Sequence, residues 1–147
     1  MRRRIEAQTT AGAGARSSRL ALLGLALLLP AIASAAGTGD AARGERVFQQ
    51  CYACHSVDRN EKAKLQGPSL YRIVDRPAAA VPGYAYSDAM RKQGAAGLVW
   101  DAATLDRYIA DPESLVPGTN MSAPPLRDEQ ERADLLAYLA RSGRYRP

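Results

Sequence analysis

Residues Cys51-Tyr52-Ala53-Cys54-His55 place two thiols three positions apart, with an imidazole directly after the second. They are the only two cysteines and the only histidine in the chain, so their chemistry is shared or absent. A thioredoxin-like dithiol pair needs a preceding strand and a βαβ setting, and no stretch here alternates as a strand does. A structural zinc site needs four ligands, more than the cysteines and histidine supply. A disulfide between the two thiols would leave His55 without a part. Covalent haem attachment uses all three: two thiols add to the two vinyl groups of one haem, and the next residue presents its imidazole to the iron. On this reading Cys51 and Cys54 hold one haem c, and His55 is a neutral axial ligand whose other ring N–H is held by protein.

A large cofactor also fits the composition. Aromatic residues make up only 6% of the 147, with one Phe, one Trp and seven Tyr, a thin supply for a core. The 46% hydrophobic and 24% charged shares exclude a disordered chain and a multispan membrane protein. The formal charge of +5 invites a nucleic-acid reading, but its position removes it. Residues 1–35 hold five arginines and one glutamate, leaving 15 basic and 14 acidic side chains in the other 112 residues. No nucleic-acid surface is expected.

Residues 1–35 read as a cleaved secretory signal peptide. An arginine-rich start precedes an apolar run from Leu20 to Ala33, and Ala33-Ser34-Ala35 supplies the small-x-small cleavage pattern. The run is shorter than the roughly 20 residues of a bilayer span; an uncleaved anchor is the alternative. The mature domain is then 36–147 and its destination the periplasm.

Within that domain the pattern is all-α. One helix is expected from Asp40 to Cys51, with Asp40 as its N-cap, and a short one from Ser87-Asp88 through Lys92, before the Gly94–Gly97 break. Another begins at Asp101 and ends at Pro112, and the last spans about Asp128 to Arg141. Residues 56–86 and Pro112–Pro125 are expected to be loops. With a single histidine, the sixth iron ligand is a methionine, a lysine, another group or nothing; Met90 falls in a helix and Met121 in a loop.

The ordered motifs resemble class I c-type cytochromes, of the mitochondrial type and its bacterial relatives, over about residues 40–142. Gly44-Glu45-Arg46-Val47-Phe48 is similar to that family's first helix, and Gly67-Pro68-Ser69-Leu70 to its G-P-N-L loop. Pro82 to Ala89 resembles P-G-F-x-Y-T-D-A, and Trp100, Thr104-Leu105 and Tyr108 follow W-x-x-x-T-L-x-x-Y. Pro117-Gly118-Thr119-Asn120-Met121 resembles P-G-T-K-M, and Arg132–Leu139 the last helix.

The resemblance implies the cytochrome c fold, short helices and long loops around one covalent haem. It implies Met121 as the sixth ligand and the Pro68 carbonyl as acceptor for His55. Tyr86 and Trp100 match residues that bond haem propionates, Arg76 one that steadies the same region, and Tyr108 and Thr119 ones beside the methionine. Gly44 would let the first and last helices cross closely, with Phe48, Leu135 and Tyr138 packed there.

The implied function is that of a soluble, monomeric, non-enzymatic one-electron carrier in the periplasm, exchanging electrons with redox proteins, membrane-bound complexes among them. The alternatives are a haem subunit of a larger oxidoreductase and an open-site peroxidase or gas binder. One departure concerns docking. Gln50, Glu113-Ser114 and Asn120 stand where the mitochondrial relatives carry lysines, and Lys62, Lys64 and Lys92 are the only lysines of the mature chain.

Overall fold

The computed structural model describes residues 38–146; the expected leader, 1–35, lies outside them. Five helices follow in order: α1 (Ala41–Phe48), α2 (Asp88–Ala95), α3 (Ala102–Ala110), α4 (Pro112–Leu115) and α5 (Glu129–Ala140). Among the described residues there is no strand, only one isolated antiparallel bridge between Pro77 and Val99. The all-α class holds. None of these helices is long and apolar enough to cross a membrane.

Each longer helix starts where a side-chain oxygen can accept from an orphan N–H. Asp40 accepts from Arg43 N–H, Ser87 from Met90, Asp101 from Thr104 and Asp128 from Glu131. The differences from expectation are local. The first helix ends at Phe48, because Cys51, Cys54 and His55 turn the backbone tightly: Cys51 N–H donates to Phe48 C=O at 2.8 Å, and Cys54 and His55 N–H both donate to Cys51 C=O. The second runs through Gly94 to Ala95. Here glycine makes room, since a Cβ at Gly94 would lie 2.5 Å from the Ala78 carbonyl oxygen.

The loop expected to begin at Pro112 starts as α4. Asp111 ends α3 and also caps α4, accepting from Ser114 N–H at 3.2 Å, with Pro112 at the first helical position. A proline that stops one helix is preorganised to start the next.

Eight-residue helices are not stable alone; packing holds them. The closest pair is α1 and α5. A Cβ at Gly44 would lie 2.8 Å from that of Tyr138, so glycine sets the approach of the backbones. Beside it the Phe48 and Tyr138 rings stand 5.3 Å apart, and Leu135 is buried. Asp134 of α5 is buried in the same crossing. It receives two bonds from the Arg43 guanidinium (2.6 and 2.9 Å), one from Asp40 N–H (2.7 Å) and one from Gln130 (2.9 Å). The Arg43 guanidinium, then the Asp40 N–H, hold its carboxyl well below the usual carboxylate range. The tail past α5 closes the far side: Tyr145 N–H donates to Val74 C=O, and Arg144 pairs with Asp75 at 2.6 Å.

Candidate haem-binding site

The turn after α1 presents Cys51, Cys54 and His55 together. Both thiols are free and partly buried, and burial raises the Cys51 pKa. His55 is oriented from outside its own turn. Its Nδ1 lies 2.7 Å from the Pro68 carbonyl oxygen; a proline carbonyl can only accept, so Nδ1 carries the proton and donates. This fixes the tautomer and leaves Nε2 with its lone pair. Burial lowers the His55 pKa against the opposing effect of that bond, which favours the neutral imidazole a metal needs.

Gly67 presses on the ring itself. A Cβ there would lie 2.5 Å from Nδ1 and 2.7 Å from Nε2. The Gly67 backbone is fixed in turn, its N–H donating to Cys54 C=O at 2.7 Å. Tyr84 extends the support, its hydroxyl donating to Gln66 C=O at 2.6 Å.

Arg76 and Trp100 connect this side of the site to α3. The buried Arg76 guanidinium donates to Ser69 C=O (2.7 Å) and Tyr71 C=O (3.1 Å), immediately after Pro68. Trp100 N–H donates to Arg76 C=O at 2.9 Å, and Asp75 N–H to Trp100 C=O at 2.9 Å. The indole packs against Tyr108 of α3, with ring centres 4.9 Å apart. Tyr108 shares a 2.7 Å hydrogen bond with the Thr119 hydroxyl, and Met121 N–H donates to that hydroxyl at 3.3 Å. The Met121 side chain is partly buried against the core. Met90, by contrast, is a buried core residue of α2.

Of the residues singled out from sequence, His55 and Pro68 are in direct contact, and so are Tyr108 and Thr119. Arg76 and Trp100 are joined through their backbones. Tyr86 meets the site through Tyr84, against which its ring packs edge-on. Its hydroxyl accepts from Val81 N–H at 3.2 Å, and burial raises its pKa against the opposing Val81 N–H and the Arg76 charge.

The cytochrome c family model matches residues 41–142. The chain belongs to the cytochrome c family. Cytochrome c2 of Rhodomicrobium vannielii is 43% identical over 125 residues, covering 85% of this chain and 95% of that protein. Cytochrome c2 of Blastochloris viridis is 40% identical, covering 82% and 91%. Among solved structures, cytochrome cH from Methylobacterium extorquens matches with a TM-score of 0.62 at 42% identity, covering 70% of this chain and 99% of that one. Cytochrome c2 from Rhodospirillum centenum matches with 0.66 at 37% identity, covering 70% and 98%.

The donor set fits the family's cofactor. Two unbridged thiols sit one turn from an imidazole whose Nδ1 is already committed, and a thioether lies on a loop tied to the same framework. Two contributors go beyond what the sequence pattern shows. Gly67 is legible only as part of a loop motif, because its role depends on the ring folded over it. Tyr84 stands within the Pro82–Ala89 motif, and its bond to Gln66 C=O is visible only in the fold.

Proposed function

We propose that this protein is a diffusible periplasmic one-electron carrier with a single haem c bound through Cys51 and Cys54 and ligated by His55 and Met121. The observation that carries the reading is the 2.7 Å bond from His55 Nδ1 to the Pro68 carbonyl beside two free thiols, which leaves a single ring nitrogen for a metal. When bound, the haem iron supplies the one-electron Fe(II)/Fe(III) couple, and a thioether ligand raises its potential by favouring the ferrous state.

The chain's own part is orientation and exclusion. Pro68 holds the imidazole's tautomer and angle, and Arg76 fixes the carbonyls that follow it. Tyr108 and Thr119 set the backbone of Met121, while the core cluster from Phe48 to Leu139 keeps the interior apolar. With His55 and Met121 both holding the iron, substrate would have no place on it, and the protein would transfer electrons rather than catalyse a reaction. Its partners are a redox donor and acceptor, membrane-bound complexes among them, and residues 1–35 are a leader removed on export.

Carbon monoxide tests the closed ligand set. The ferrous protein at neutral pH is expected to bind it slowly or not at all, and Met121→Ala to bind it rapidly. Rapid binding by the unaltered protein would overturn the carrier reading in favour of an open-site haem protein.

A further inference from the structure

We propose that Arg132 is a positioning residue for Met121, acting by holding down the far end of the loop that carries it; the inference rests on Met121 as the iron ligand. The loop between α4 and α5 is fastened at two places. On the near side Gly118 N–H donates to the Glu113 carboxylate at 2.9 Å, Thr119 N–H to Val116 C=O at 3.0 Å, and Thr119 shares its bond with Tyr108. On the far side Leu126 N–H donates to Ile109 C=O at 3.0 Å. Between them Ser122–Pro125 are exposed and, among the described residues, form no backbone hydrogen bond. Pro124 and Pro125 have no N–H to give.

Arg132 supplies most of the far fastening. Its Nη1 donates to the carbonyls of Leu126 (3.0 Å) and Arg127 (2.8 Å), and its Nε to Asp106 at 2.7 Å. Those carbonyls lie five and six positions after Met121, and Asp106 stands on α3, which also carries Tyr108 and Ile109. Both ends of the methionine loop are therefore referred to one helix. Arg132 is only 8% exposed, so its bonds compete little with water, and its planar fork holds its acceptors in a fixed geometry that a rotating ammonium does not impose. Without it two carbonyls lose their donor, the exposed stretch pivots about Thr119, and the thioether leaves its place more often.

The test is imidazole binding to the ferric holoprotein, a reaction gated by departure of the sixth ligand. Arg132→Gln is expected to bind imidazole about tenfold faster than the parent, the scale set by losing charge-assisted bonds, and to lose amide-exchange protection over residues 119–127. Arg132→Lys should recover part of the difference. Asp106→Asn, at a half-exposed partner, should show a smaller acceleration and serves if Arg132→Gln fails to fold. Asp134→Asn, which loosens α5 against α1, controls for general loss of stability. An unchanged rate in both Arg132→Gln and Asp106→Asn, or equal acceleration in Asp134→Asn at matched stability, overturns the proposal. Met121→Ala run alongside separates the two levels: if it fails to open the iron, the ligand assignment falls and the positioning role with it.

Discussion

Replacing Gly67 by alanine probes the proximal side of the site directly. The added Cβ would stand 2.5 Å from His55 Nδ1 and 2.7 Å from Nε2, whereas nonbonded atoms settle near about 3.5 Å, so something must yield by about 1 Å. The Gly67 backbone is tied to Cys54 C=O at 2.7 Å, and its neighbour Gln66 to Tyr84 at 2.6 Å. The imidazole is the part left to move. A displacement of about 1 Å takes its 2.7 Å bond to Pro68 out of hydrogen-bonding range. Losing such an outer bond to a metal-bound imidazole costs about 10–100-fold in metal affinity. The stronger donor favours ferric iron, so the loss falls chiefly on the oxidised state, and each tenfold raises a one-electron potential by about 59 mV. Voltammetry of Gly67→Ala is therefore expected to show a rise of about 60–120 mV with the haem still covalently attached. Pro68→Ala keeps the acceptor carbonyl and should stay close to the parent. An unchanged potential in Gly67→Ala, or the same rise in Pro68→Ala, would refute the claim that this bond tunes the ligand.

Cys51→Ala and Cys54→Ala are each expected to lose covalent haem. Haem that extracts fully into acidified organic solvent from the parent protein would contradict the attachment. Met121→Ala should open the iron and lower the potential. Met90→Ala should leave both nearly unchanged while costing about 2–4 kcal/mol of stability as a buried truncation; loss of the sixth ligand in both variants would sink the assignment. Asp134 links stability to acid. Its folded-state carboxyl titrates well below an unfolded one, so its contribution is present above about pH 4 and is lost as pH falls toward the depressed folded value. Denaturant titrations should give Asp134→Asn a flatter acid limb than the parent, and parallel limbs would discard the linkage. With Glu113, Ser114 and Asn120 on the methionine side, electron transfer to the native partner should depend weakly on salt. A steep fall between low and physiological ionic strength would reveal a basic steering face.

Local chemistry made much of the architecture legible. Asp40, Ser87, Asp101 and Asp128 begin helices because a short side-chain oxygen beside an apolar period has few other uses, and each does cap one. The limits were set by interactions that local pattern does not carry. Pro112 reads as a stop, and only the extended backbone of Asp111, with its side chain on Ser114 N–H, makes it a start as well. Gly94 reads as a break until Ala78 is seen against it. Asp134 and Arg132 look like solvated charges of the last helix, yet their partners lie 91 and 26 residues away. In the site, the sequence pattern names the thiols, the imidazole and the methionine, and the loop resemblance names the Pro68 carbonyl, whereas the Arg76 bonds to the Ser69 and Tyr71 carbonyls are backbone contacts that no side-chain motif displays.

That restraint bears on electron transfer itself. The Pro68 carbonyl holds His55; Arg76 holds Ser69 and Tyr71 just beyond; Trp100 is bonded to the Arg76 backbone and packed at a tilt against Tyr108; Tyr108 holds Thr119, which holds the Met121 backbone. His55 and Met121 are thus referenced to one another through contacts that pass around the core rather than through the cofactor they are proposed to share. A thioether is a weak ligand to ferric iron, so its persistence on oxidation depends on the protein making its departure costly. Two features would do that here: bonds on both flanks of the methionine loop, and an α3 that receives them both. In the proposed carrier they would hold the ligand geometry in either oxidation state, so that little rearranges when the electron moves.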